Sequence, residues 1–211
     1  FILEAQKQGY APPITFLSNW LNYQKNAAKQ WRNVATAYNS SLTQAYRLYT
    51  LALAGQPELA AMNRLRESGE LNNDSRWRLA AAYALAGKKQ VAQELVNKAS
   101  LDFATKRELQ YTYGSVLRNK AMALETMVLL NDTRQNELAN SIAKELNAAT
   151  WHSTQTTAFA LLSLSKMLIA NGGKTINLTA ADQTLSSAKG FARKALKVTE
   201  GKNTLTIKNK E

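Results

Sequence analysis

Apolar positions recur every three or four residues through most of this chain. Leu17, Trp20, Leu21, Ala28 and Trp31 keep that spacing, with Gln24 inside it, and the period predicts an amphipathic helix entered from Pro12 and Pro13. A second helix is predicted over SSLTQAYRLYTLALAG. Ser40 or Ser41 can accept the free N–H groups at its start, and Gly55 can take the left-handed conformation that ends it. Pro57 opens the next helix, PELAAMNRLRES, which closes at Gly69.

This helix, tight turn, helix pattern repeats. AYRLYTLALAGQPELAAMNRL aligns with WRLAAAYALAGKKQVAQELVN, so that Ala54-Gly55 falls on Ala86-Gly87. KAMALETMVLLNDTRQNELANSIAKEL is a weaker copy, with Asn131-Asp132 where Ala-Gly stood. ATWHSTQTTAFALLSLSKMLIANGG begins another pair and stops at Gly172 and Gly173. About nine helices are expected. Alanine-rich apolar positions let such helices approach closely, and hairpins of this kind build either a solenoid or a closed ring. Gly55 and Gly87 are 32 residues apart, but Gly87 and Asp132 are 45 apart. A tetratricopeptide array would hold its period near about 34 residues. Uneven loops therefore favour a ring, an α/α toroid.

After Gly173 the period falls to two. KTINLT alternates Ile176 and Leu178 with polar residues, and NTLTIKN does the same with Leu205 and Ile207, so strands are predicted there. TLSSAKGFARKALKV lies between these signals and is expected as two short strands broken near Lys189-Gly190. The domain boundary is placed at 171–174, with residues 1–172 helical and 173–211 in strands. The fold class is thus mainly α, with a short β segment at the end.

Composition narrows the chemistry. The chain has 211 residues, 45% hydrophobic and 20% charged, enough to bury a core. No apolar run reaches the ~18 residues of a membrane span, so no direct membrane insertion is expected. Cysteine is absent, which removes disulfides, thiolate metal ligands and cysteine nucleophiles. One histidine and four aspartates leave too few ligands for a zinc site. The net charge of +12 is spread along the polar faces and is densest in the tail, at Lys189, Arg193, Lys194, Lys197, Lys202, Lys208 and Lys210. Apart from Phe191 no aromatic residue alternates with these charges, so a stacking platform for nucleic acid is missing and no specific nucleic acid is expected.

His152 beside Ser153 suggests a base and a nucleophile, but adjacent residues rarely aim at each other and no orienting carboxylate follows. Ser153 or Thr154 is expected to cap the next helix, with Gln155 bonded to nearby backbone and Trp151 packed under the turn. Trp20, Tyr23, Trp31, Tyr38, Tyr46 and Tyr49 have helical spacing and read as core and hairpin packing rather than a ligand groove. Asp74, Asp102, Asp132 and Asp182 are isolated, whereas a toroid enzyme needs clustered acids. No catalytic, cofactor-binding or metal residue is assigned, and no enzyme activity is expected. Asn39, Asn73, Asn131 and Asn177 open Asn-x-Ser/Thr triplets, which matter only in a eukaryotic secretory setting.

FILEAQKQGY, AYRLYTLALAGQPELAAMNRLRE, RWRLAAAYALAG and WHSTQTTAFALLSLSK, in that order, resemble the C-terminal part of the thioester-containing domain of the alpha-2-macroglobulin and complement family, most closely its bacterial members. The likeness covers about residues 1 to 170. It implies an α/α toroid followed by the returning half of a CUB-like, macroglobulin-type β-sandwich. It also implies a fragment of a broad-spectrum endopeptidase inhibitor that traps proteases by conformational change. The implied partners are proteases, met through the full-length parent. The implied location is the periplasm or cell surface, the parent often being a membrane-anchored lipoprotein with a role in bacterial defence. The family's Cys-Gly-Glu-Gln thioester cannot form in a chain without cysteine, so no site residue carries over. The start at Phe1, without methionine or N-cap, reads as a cut inside a helix, and an incomplete ring is expected. The alternative reading is a helical-repeat scaffold for protein–protein interaction.

Overall fold

In a computed structural model the described residues are 2–13, 15–32, 40–69, 71–103, 114–171, 176–180, 183–187, 200–202 and 204–209. They form nine helices: α1 (Ile2–Lys7), α2 (Phe16–Gln30), α3 (Ser41–Leu53), α4 (Leu59–Glu67), α5 (Asn73–Leu85), α6 (Lys89–Asn97), α7 (Val116–Leu130), α8 (Gln135–Leu146) and α9 (Thr154–Ala170). Three strands follow: β1 (Ile176–Ala180), β2 (Gln183–Ser187) and β3 (Ile207–Asn209). The chain divides into two compact units, Phe1–Leu164 and Ser165–Glu211.

Within the first unit, burial separates two kinds of helix. α3, α5 and α7 are buried on most of their surface; α5 alone hides Ser75 and every residue from Trp77 to Tyr83. By contrast α4, α6 and α8 bury one stripe each: Ala61, Met62 and Leu65; Ala92, Leu95 and Val96; Leu138, Ala139 and Ile142. A single stripe is what a surface helix offers its core. α5 packs between α3 and α7 and also meets α4 and α6. Hairpins therefore stack with one deeply buried and one outer helix each.

The caps follow this division. Ser40 Oγ accepts from the Thr43 N–H at 3.1 Å, Asn72 Oδ1 from Ser75 at 2.9 Å, Ser115 Oγ from Arg118 at 3.1 Å and Ser153 Oγ from Thr156 at 3.2 Å. Each satisfies an N–H that the first turn leaves open. The outer helices α4, α6 and α8 have no side-chain cap. Their N-termini lie nearer water, which can serve the same groups.

The three hairpin turns share one closure. Gly55 and Gly87 have φ of 73° and 75°, and Asn131 replaces them at φ 54°. The next N–H then reaches back to the helix: Gln56 to Leu51 at 2.9 Å, Lys88 to Tyr83 at 2.8 Å, Asp132 to Met127 at 2.9 Å. This is the Schellman pattern, and it needs a residue that tolerates positive φ. The expected correspondence of Ala-Gly with Asn131-Asp132 is off by one: Asn131, not Asp132, takes the glycine's place, because it is the residue that adopts positive φ.

Some boundaries differ from the sequence reading. α2 starts at Phe16, after a turn in which its N–H donates to the Pro13 carbonyl at 2.9 Å, so the prolines precede the helix rather than sit in its first turn. Likewise Pro57 lies two residues ahead of α4. In the second unit β1 pairs antiparallel with β2 and β3, giving the order β2-β1-β3 with Leu178 opposite Leu185 and Ala180 opposite Ile207. Strands form where the apolar period falls to two. The expected break near Lys189-Gly190 lies outside the described residues.

Candidate functional site

The polar corner at the start of α9 is a helix cap. Ser153 is 9% exposed; its Oγ donates to Thr156 Oγ1 at 3.0 Å and accepts from the Thr156 N–H. Thr156 Oγ1 lies 2.8 Å from Ser115 Oγ, the cap of α7, so the two cap hydroxyls share one side chain. His152 turns elsewhere: its Nε2 is 3.2 Å from the Glu145 carbonyl. Histidine and serine are thus engaged with different partners, and the arrangement has no base-to-nucleophile contact. Gln155 is exposed. Trp151 is 82% exposed, not packed under the turn as expected. It precedes the cap, where helical periodicity no longer dictates which face a side chain takes.

The expected aromatic packing is met in part. Trp31 and Tyr49 are buried, Trp20 is half-buried, and Tyr23 and Tyr46 are exposed. Tyr38 lies outside the described residues, as does Asp182. Of the other aspartates, Asp74 sits in the first turn of α5 and the Asp102 carbonyl accepts from Asn73 Nδ2 at 3.1 Å. Asp132 holds Arg134 through Nη2 at 2.6 Å. Among the described residues no three His, Cys, Asp or Glu side chains group to hold a metal ion. No described helix is long and apolar enough to cross a membrane.

The Asp132 pair makes one testable statement. Hydrogen bonds from Arg134 hold the Asp132 carboxyl below its usual pKa, against the opposing effect of burial. A depressed folded-state pKa contributes stability above the unfolded value, about 3.9, and that contribution is lost as pH falls through the folded value. The melting temperature of Asp132→Asn should therefore lie below the parent at neutral pH, and the gap should close as pH drops below about 4. A gap independent of pH contradicts this account.

The strongest polar constellation lies in the core and was not evident in the sequence. Arg78 of α5 is fully buried, and its Nη1 donates to Glu125 Oε2 of α7 at 2.7 Å. The Tyr49 hydroxyl of α3 donates to the other oxygen, Oε1, at 2.6 Å. The guanidinium lies over the Tyr49 ring at 4.1 Å and near Tyr46 at 5.4 Å. Burial, reinforced by the Glu125 charge, pushes the Tyr49 hydroxyl well above its ordinary pKa. For Arg78, burial acts to lower the pKa, but Glu125 and the two tyrosines outweigh it and leave it raised. One charged group from each of two helices and a phenol from a third thus meet in the buried interior. The arrangement ties α3, α5 and α7 to one another. A signal existed in the sequence, since Arg78 and Glu125 each interrupt an apolar stretch, WRLAAAYAL and AMALETMVLL.

No family model matches this chain, and no curated protein matches it by sequence. Solved structures do. Native alpha-2-macroglobulin from Escherichia coli, spanning domain MG7 to the C-terminus, matches 99% of this chain with a TM-score of 0.67 at 16% identity. A mutant Salmonella alpha-2-macroglobulin matches 99% at TM-score 0.68 and 19% identity. The Escherichia coli protein activated by porcine elastase matches 99% at TM-score 0.61 and 19% identity. The chain spans 32%, 14% and 18% of those three chains, respectively. The fold is therefore alpha-2-macroglobulin-like, helical hairpins with a small β unit. At these identities the likeness is one of fold.

Proposed function

We propose that this chain is a segment of a bacterial alpha-2-macroglobulin-like, broad-spectrum endopeptidase inhibitor that traps proteases by conformational change. The observation that carries this reading is that nearly the whole chain, helices and strands together, superposes on one stretch of such proteins in native and elastase-activated forms. In this reading residues 1–172 belong to an α/α toroid of the thioester-domain type and 173–211 to a following CUB-like β domain. The partners are proteases, met by the longer protein in the periplasm or at the cell surface, with the parent a membrane-anchored lipoprotein. The segment contributes structure and no catalysis.

A trap encloses a protease without blocking its active site. The protein expressed from its whole natural gene should therefore spare elastase activity on a small peptide amide while suppressing its cleavage of a large protein such as casein. Equal effects on both substrates, or no effect on either, would sink the proposal. The 211-residue chain by itself should take up no methylamine and hydrolyse no ester, peptide or glycoside, because it has no cysteine and its one histidine is turned away from Ser153. Stoichiometric covalent uptake of the amine would contradict that.

A second reading, a helical-repeat scaffold for another protein, is favoured by one feature. Leu161, Leu162, Leu168 and Ile169 leave an exposed apolar face on α9, and exposed apolar patches mark interaction surfaces. The protease assay separates the two, since a scaffold leaves elastase unaffected on both substrates.

A further inference from the structure

Arg78 is satisfied on one side only. Its Nη1 meets Glu125, but Nε and Nη2, both buried, have no hydrogen-bond partner. Those two nitrogens form the side-on fork that normally takes a carboxylate bidentately. A fully buried guanidinium with its fork empty is a poor stabiliser, because desolvation of the charge is only partly offset by the one ion pair. The neighbouring hydrophobic groups already bury α3, α5 and α7 well, so burial alone gives no reason for a charge at this point.

The contacts between these helices suggest what it does. Ala45, Ala52, Ala81, Ala121 and Ala123 are buried along them, and stretches of alanine give smooth faces with few protrusions to oppose sliding. Other polar ties between these helices are easily exchanged. Thr126 Oγ1 reaches the Trp77 carbonyl at 3.0 Å but is equally placed, at 3.0 Å, on Met122 of its own helix. Ser41 and Ser75 touch through hydroxyls that rotate freely, 2.9 Å apart. The triad is different. A slide of α5 or α7 by one turn, about 5.4 Å, would carry Arg78 out of reach of Glu125 and leave the buried guanidinium without its carboxylate.

We infer that Tyr49, Glu125 and Arg78 form a register latch, a charged triad that fixes the alignment of α3, α5 and α7 at a net cost in stability. The latch makes sliding of one buried helix past another an all-or-none event, since a displaced Arg78 loses the one carboxylate that its guanidinium meets. It is a device for holding one of several closely packed states, and it stands independently of whether the longer protein traps proteases.

The test uses the 211-residue chain and one apolar replacement of the whole triad, Tyr49→Phe with Arg78→Met and Glu125→Met. Volume is roughly kept and the buried guanidinium is removed together with its carboxylate, so the variant should melt at or above the parent. Register is read at Trp77, adjacent to Arg78 on α5. Its indole Nε1 donates to the Ser100 carbonyl, beyond α6, at 2.9 Å, and it is one of only four indoles in the chain. In the parent the Trp77 indole N–H should give a single sharp amide-type NMR resonance. In the variant it should split or broaden as α5 samples more than one alignment. A variant that melts below the parent shows that the triad is a net stabiliser and overturns the inference. A variant that keeps one sharp Trp77 resonance shows that register is set elsewhere and overturns it equally.

Discussion

Truncating Glu125 to alanine should remove about 3–5 kcal/mol of stability, the cost of leaving a buried charge without its partner. Arg78 then keeps no acceptor at all: Nε and Nη2 already have none, and Nη1 loses its 2.7 Å bond. The Tyr49 hydroxyl loses its acceptor in the same step. A buried donor left open costs its full desolvation, about 1–3 kcal/mol for a neutral group. Since a domain has only about 5–15 kcal/mol in hand, the variant should be near the edge of folding. Chemical denaturation followed by far-UV circular dichroism would measure this directly. A loss below about 1 kcal/mol, the level of an exposed ion pair, would mean that Arg78 finds another partner or reaches water. The comparison with removal of the whole triad is instructive, because the same physics predicts a large loss for one change and none for three.

How far the sequence foretold this follows from what a period can encode. The spacing of apolar residues states which elements form and which face is turned inward, so the helical hairpins and the strands at Ile176–Ala180 and Ile207–Asn209 could be read directly. Turn chemistry is also local. Gly55, with Gly87 aligned on it, announced the left-handed residues of two hairpins, and the caps were narrowed to Ser40 or Ser41 and Ser153 or Thr154, of which Ser40 and Ser153 do the capping. The triad could not be read so. Arg78 and Glu125 are 47 residues apart, and Tyr49 and Glu125 are 76 apart. A period places each residue on a face but does not pair faces across helices. Trp151 shows the limit from the other side: outside a helix, no repeat constrains it, and a large apolar side chain ended 82% exposed.

The open face of α9 carries the last expectation. Leu161, Leu162, Leu168 and Ile169 are 57%, 39%, 55% and 75% exposed, and they recur at i, i+1, i+7 and i+8, one stripe of the helix. α3, α5 and α7 each have neighbours that bury such a stripe. On α9 these four side chains stay open, although its own sequence, TQTTAFALLSLSKMLIA, is as apolar as theirs. Covering a large apolar side chain gains about 1.5–3 kcal/mol; with roughly half of each of four still open, the face is worth on the order of 5 kcal/mol. A longer version of the protein whose added helices pack on α9 should therefore melt higher, by about 10–20 °C at about 2–4 °C per kcal/mol for a domain of this size. It should also self-associate less, since a bare stripe of this kind seeks any partner. Paired thermal melts and sedimentation would decide the matter. If the longer protein melts no higher and the 211-residue chain sediments as a monomer at high concentration, the face is an ordinary surface and the incomplete-ring reading fails with it.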